Sequence, residues 1–298
     1  AKNVKQQNKH NKYNGPQLNK LSNLIDSDDI HVILIGTGTP LIVESRSGPC
    51  TAIVGGGYFI LIDVGPGTYR SCALLGLPMG RLTCVILTHF HSDHIGDLGE
   101  VMTFSWIAGR KNILPVYGPH GIEQVVNGVT STYSLDCGYR VEHHKPILTK
   151  ELHGFNIIEI EPPEGILGTT SLFQEDFIEI LAFEVDHFPV KPAYGFKIKY
   201  KDVSIVVSGD TCRCDSLVHN SRDADIIIQE AMCCDLVLQI SDINYIHGND
   251  MNGKMLSDII EYHTDIQDCV DIAAECNTPM MLLTHLVPAP DNMFISNR

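Results

Sequence analysis

Apolar and polar positions divide the chain into short apolar runs, most of them followed by a polar turn and then a stretch of helical spacing. Ile30 to Ile35 predicts a first strand. Thr51 to Val54 and Tyr58 to Ile62 predict a hairpin about Gly55-Gly56-Gly57. Its second arm ends in Asp63-Val64-Gly65-Pro66-Gly67, ahead of a helix to Leu75. Cys84-Val85-Ile86-Leu87 reads as a buried strand, and Ile95, Leu98, Val101 and Met102 then recur at helical spacing up to about Ala108. Further strands are predicted at Pro115 to Tyr117, Asn156 to Ile160, Phe177 to Val185, Gly195 to Tyr200, Val203 to Val207, Asp225 to Gln229 and Met280 to Leu283. Helices are predicted from Gly121 to about Thr132, Cys214 to Asn220, Met251 to Tyr262 and Ile266 to Cys276, while Ser134 to Thr149 reads as irregular. Strands precede helices throughout, the pattern of an α/β protein. With no low-complexity linker and no short repeat, residues 24–298 read as one domain behind a flexible arm, residues 1–23.

Composition changes this picture in three places. A net charge of −15 disfavours a nucleic-acid partner unless a local basic face exists, and the five lysines of the arm read as part of a solvated tail. No apolar run approaches the roughly 18 residues of a membrane span. The chain starts at Ala1, so the compartment depends on whether a leader preceded it: periplasm or exterior if one did, cytoplasm otherwise. The ten cysteines include no C-x-x-C, and most read as ordinary buried thiols. In an exported protein Cys212 or Cys214 could pair with Cys233 or Cys234. Gly36-Thr37-Gly38-Thr39-Pro40 lacks the third glycine of a dinucleotide loop and reads as a tight turn.

The candidate chemistry follows the strand at Cys84. Thr88-His89-Phe90-His91-Ser92-Asp93-His94-Ile95-Gly96-Asp97 sets three histidines and two aspartates within nine residues. His89 and His91 are two apart, so an extended backbone points both rings to one side. Imidazole with carboxylate suits zinc or a similar divalent ion. The pattern recurs where Phe183-Glu184-Val185 runs into Asp186-His187, Val206-Val207 into Ser208-Gly209-Asp210, and Leu282-Leu283 into Thr284-His285. Sites in α/β sheets collect at such strand ends. Together these give five histidines and two aspartates, too many for one tetrahedral ion with an open position and suited to two ions sharing a carboxylate and a water.

The run H-x-H-x-D-H resembles the signature of the metallo-β-lactamase superfamily. That resemblance implies a four-layer αββα sandwich with a two-metal site between its sheets. It implies His89, His91 and His187 as ligands of one ion, Asp93, His94 and His285 as ligands of the other, and Asp210 as the bridge. Phe183 to Val190, Ala193 to Phe196, Ser208 to Thr211 and Glu261-Tyr262-His263-Thr264 narrow the likeness to the ribonuclease Z and arylsulfatase-like branch, over about Ile30 to Pro290. Two departures count against tRNA. Ribonuclease Z carries an exosite arm between its third-histidine segment and the bridging aspartate, whereas His187 and Asp210 are only 23 positions apart. Its His-Glu-Ala-Thr stretch is here Gln229-Glu230-Ala231-Met232.

The expectation is therefore a two-metal hydrolase of a small anionic sulfate or phosphate ester, arylsulfatase-like or phosphodiesterase-like, with tRNA an unexpected partner. Its ions would be zinc, with manganese as the substitute, and a bridging hydroxide would attack sulfur or phosphorus. Asp93 would orient the nucleophile or take its proton. His263 would protonate the leaving oxygen, with Glu230 holding its ring. Asp63 would either orient a ligand histidine or serve only as a turn residue. The alternatives are a ribonuclease Z-type tRNA 3′ endonuclease, a lactam or lactone hydrolase, and a metal-stabilised scaffold; a homodimer stays open. No G-x-S-x-G occurs, which removes a serine hydrolase.

Overall fold

The computed structural model describes residues 21–290. The first of its two six-stranded sheets contains β1 (His31–Gly36), β2 (Cys50–Gly55), β3 (Tyr58–Ile62), β4 (Cys84–Ile86), β5 (Leu114–Gly118) and β6 (Phe155–Glu159), side by side in chain order. The pairs from β1 to β3 are antiparallel and those from β3 to β6 are parallel. The second contains β7 (Thr170–Glu175), β8 (Ile178–His187), β9 (Val190–Tyr200), β10 (Val203–Val207), β11 (Ile226–Met232) and β12 (Met281–Val287), again in chain order. Here β7 to β10 are antiparallel, and β10, β11 and β12 are parallel.

Both faces of each sheet are covered, which explains why the central strands are apolar without alternation. On β3, Ile60 and Ile62 face the other sheet, while Phe59 and Leu61 face helices. The inter-sheet core joins them and Ile53, Ile86 and Tyr117 to Ile180, Phe196, Ile198, Ile205 and Ile228. The outer face of the first sheet packs on α1 (Thr68–Leu75), α3 (Leu98–Ile107) and α4 (Ile122–Thr132) through Cys72, Leu98, Val101, Ile122 and Val126. The second sheet packs Phe183, Val206 and Ile227 on Leu217 and Val218 of α6 (Asp215–Ser221) and on Ile272 of α9 (Ile266–Glu275). The layers run α, β, β, α, as the resemblance implies.

Three elements depart from the pattern reading. Ser134 to Thr149 is not irregular: α5 (Ser134–His144) fills most of it, tied by an Arg140 to Asp136 ion pair one turn apart. Its exposed Leu135 and Tyr139 and the internal Gly138 blur the helical pattern. The largely polar β7 is an edge strand and has no buried face to mark it. Past Met232 the chain forms α7 (Cys234–Ile246) and then α8 (Asp250–Asp258), packed on each other, where only the second was predicted. The proposed arm lies outside the described residues except for Leu21 to Asn23, which open a 3-10 turn. All ten cysteines are free thiols. No described helix is long and apolar enough to cross a membrane.

Candidate metal centre

The site forms where strands of both sheets end. After β4 the chain stays extended through His91, then turns into α2 (Ser92–Ile95), so His89, His91, Asp93 and His94 converge within six positions. β8 supplies His187, the loop after β10 supplies Asp210, and β12 supplies His285. Glu230 pairs with Thr284 and Ala231 with Leu286, so His285 is the extra residue of a bulge. Its φ of 47° lies in the left-handed region, as does that of Asp63 at 57°. Non-glycine residues hold this conformation only where the surroundings enforce it, most often at functional sites.

Two clusters of donor atoms lie within reach of a shared ion each, His89, His91, His187 and Asp210 in one and Asp93, His94 and His285 in the other, and a third grouping, Asp210, His263 and His285, overlaps both. Asp210 Oδ2 is 3.2 Å from both His94 Nε2 and His285 Nε2 and 4.0 Å from His89 Nε2, which puts it between the clusters. His285 Nε2 is 3.3 Å from Asp93 Oδ2. His89 Nε2 and His91 Nδ1 stand 2.9 Å apart, and His187 Nε2 is 3.3 Å from the same His91 nitrogen. Bonds of about 2.0–2.1 Å to one tetrahedral zinc hold donor atoms roughly 3.3 Å apart, so the spacing fits.

The hydrogen bonds behind the rings fix which nitrogen is bare. The Thr88 hydroxyl donates to Asp63 Oδ2 at 2.8 Å, leaving its oxygen to accept from His89 Nδ1 at 3.0 Å. His94 Nδ1 donates to Asp63 Oδ2 at 2.8 Å, and His187 Nδ1 to the Tyr262 carbonyl at 3.0 Å. His89 and His187 therefore turn an unprotonated Nε2 towards the cluster, and His94 does so once its ring is neutral. His94 Nε2 is buried with no hydrogen-bond partner, a cost that a cation would remove. Burial pushes His89 well below the ordinary imidazole value and His187 down to about 4, so both stay neutral, as ligands must be. Burial acts against a charge on His94, but Asp210 and Asp63 outweigh it and hold that ring well above its usual value. Burial likewise opposes a charge on Asp210, but His285 and His94 hold its carboxyl well below the usual range.

His263 and Glu230 meet beside the clusters. Glu230 Oε1 accepts from His263 Nδ1 at 3.2 Å, from the Thr264 amide at 2.8 Å and from the Thr211 amide at 3.2 Å. Burial acts to lower the His263 pKa, but the Glu230 charge and hydrogen bond overcome it and raise it. The ring stacks on His285 with centroids 5.3 Å apart. Gln229, beside Glu230, donates to Thr264 Oγ1 at 3.1 Å, and Thr264 Oγ1 donates to the Thr211 carbonyl. Gln229 thus braces the Thr264 turn. Asp97, from the same stretch as the ligand candidates, accepts from the Tyr69 amide at the start of α1 and serves that helix. The structure brings together every candidate named from the sequence, Asp63 included. It adds Thr88 and the Tyr262 carbonyl, which set ring tautomers and leave no mark in a residue pattern.

A cavity of about 410 Å3 opens on the clusters and continues along an apolar wall of Pro40, Leu41, Met255, Leu256 and Ile259. Leu256 and Ile259 are anchored on Met232, Val237 and Val287.

Residues 44–213 match the metallo-beta-lactamase superfamily. The chain is 32% identical over 263 residues to the ribonuclease Z of Mycobacterium bovis, with 87% of each chain covered. It is 31% identical to the ribonuclease Z of Mycolicibacterium gilvum, covering 87% of this chain and 85% of that one. Among solved structures, the short form of human tRNase Z superposes with a TM-score of 0.64 at 22% identity, covering 86% of this chain and 92% of that one. The metallo-beta-lactamase fold protein YhfI from Bacillus subtilis gives 0.61 at 22% identity over 86% of each chain. These two likenesses show the fold.

The relatives correct two expectations. A small sulfate or phosphate ester as substrate, with tRNA set aside, does not stand against ribonucleases Z matched along 87% of the chain. The short His187 to Asp210 interval is filled by β9 and β10 and leaves no room for an arm there, but an arm is a means of holding RNA and not part of the chemistry. The −15 charge describes the whole chain and not its site. The chain is a divalent-metal-dependent hydrolase that belongs to the metallo-β-lactamase superfamily and, within it, to the ribonuclease Z family.

Proposed function

We propose that the protein is a ribonuclease Z-type endonuclease that hydrolyses a phosphodiester bond in tRNA precursors. The observation that carries this reading is the match to curated ribonucleases Z over nearly the whole described chain, joined to two donor clusters that share Asp210. His89, His91 and His187 would hold one ion, Asp93, His94 and His285 the other, and Asp210 both. The ions would be zinc, which imidazole and carboxylate suit, with manganese able to substitute. When bound, they would activate a water and draw charge from the phosphoryl oxygens.

The chain's own residues supply the rest. Asp93 lines the cavity and would orient the incoming water and take its proton. As the water oxygen bonds to phosphorus, the bond from phosphorus to the leaving ribose oxygen breaks. That oxygen takes a proton from His263 Nε2, because Nδ1 is engaged by Glu230. Glu230 raises the His263 pKa and so keeps the ring charged as neutral pH is approached. The test is to incubate pure protein, loaded with zinc or with manganese, with a precursor tRNA and with aryl sulfate and bis-aryl phosphate. Cleavage of the RNA at one site, ahead of either ester, is expected; turnover of an ester without any cut in the RNA overturns the reading.

A further inference from the structure

The cavity at the metal centre has a second half that phosphate chemistry does not use. Besides Asp93, Asp210 and His285 its lining includes Tyr262, Ile259, Leu256, Met255 and Leu41. Among the described residues that line it there is no lysine or arginine. An RNA phosphate would find neither a counter-charge nor a fork of donors there, and would lose its hydration against apolar side chains. The occupant that fits is flat and largely apolar on its faces. At about 410 Å3, the whole cavity lies within the range of small-molecule sites, room enough for one nucleotide at the centre and along the wall.

The position of the wall decides which nucleotide. Ile259, Tyr262 and His263 all line the cavity, and the Tyr262 and His263 rings lie 5.1 Å apart, so the apolar half adjoins the acid. We infer that the wall formed by Leu41, Met255, Leu256, Ile259 and Tyr262 is the binding site for the base of the nucleotide whose ribose oxygen leaves. This rests on the ribonuclease reading and adds to it a selection at one base. Base faces stack on aromatic and apolar surfaces irrespective of sequence. The amide of Asn252 at the rim adds a polar group that can reach a base edge. The wall is built for constancy: Leu256 and Ile259 pack onto Met232 and Val287 beneath, while Met255 and Leu41 remain 59% and 47% exposed.

That exposure makes the inference testable without unfolding the protein. Two precursor RNAs are compared that differ only by removal of the base from the nucleotide carrying the leaving oxygen. Wild type should lose about tenfold to a hundredfold in kcat/KM on the abasic RNA, mostly as a rise in KM. Met255→Ala and Leu41→Ala should lose activity on the intact RNA and leave that on the abasic RNA almost unchanged. Ile246→Ala removes an apolar side chain that is 79% exposed on α7 and outside the cavity, and should change neither. Equal cleavage of the two RNAs by wild type overturns the inference and leaves the ribonuclease reading standing. So does a Met255→Ala loss of the same size on both. If the metal-loaded wild type cuts neither RNA, the ribonuclease reading fails and this inference fails with it.

Discussion

His263 is the residue on which the proposed chemistry and the metal centre can be separated. It also lies within ligand reach of Asp210 and His285, so metal content decides its role: as the acid, His263→Ala should lower turnover by about 10²- to 10⁴-fold while metal content stays at the wild-type value. The loss should be largest for RNA, whose ribose oxygen is a poor leaving group, and smallest for activated aryl phosphodiesters. An equal loss on both would remove His263 from the role. Glu230→Gln tests the pairing by pH. The carboxylate raises the His263 pKa, and the protonated ring is the active form, so activity falls as pH rises through that pKa. Taking the charge away should move this alkaline limb of the kcat profile to lower pH; an unmoved limb would show that Glu230 does not act on the ring's charge. Asp63→Asn keeps a residue at home in the left-handed conformation but cannot supply all three hydrogen bonds that the carboxylate accepts from Thr88 and His94. A loss of about 10- to 100-fold in metal affinity, read by competition with a chelator, is expected. At this scale the ligand candidates were legible because each is a named side chain at the end of an apolar run. The groups that set their tautomers were not, since a backbone carbonyl at Tyr262 or a hydroxyl at Thr88 carries no distinguishing pattern.

Elements were legible in proportion to how much of them is buried. β2 and β3 are apolar on both faces and stood out at once. α7 did not, because it leaves Leu238, Ile243 and Ile246 exposed and buries only Val237 and Ser241. Its apolar residues encircle the helix, and an apolar stripe is what a helical period reports. The loop after β3 shows the opposite case, where local sequence says something definite. Gly65 passes under the ligand loop so closely that a Cβ there would lie 2.2 Å from the Asp93 carbonyl oxygen and 2.6 Å from Gly48. Gly65→Ala must therefore displace backbone, at a cost of about 1–3 kcal/mol, and shift Asp93 with it. Reduced thermal stability together with weakened metal binding is expected by calorimetry and chelator competition. Unchanged metal affinity would mean that the ligand loop is not held by this contact.

Across the whole molecule the donors come from two sheets: His89, His91, Asp93 and His94 follow β4 in the first, and His187, Asp210 and His285 belong to the second. Ions bound there would cross-link the halves of the fold. At free metal about a thousandfold above the dissociation constant, binding adds about 4 kcal/mol to the folded state, so chelation should lower Tm by roughly 5 °C or more. A Tm indifferent to chelator would contradict the cross-link. The sandwich itself was legible from the order of strands and helices once the motif was joined to it. The substrate was not, because net charge and one interval length bear on how RNA is held and say nothing of which bond is cut. The central claim joins the bond to the ions. Release of the 3′ trailer from a precursor tRNA, followed while metal-free protein is titrated with zinc, tests both at once. The rate should rise until two ions are bound per chain and then level off; a plateau at one ion, or no release at any ratio, would contradict it.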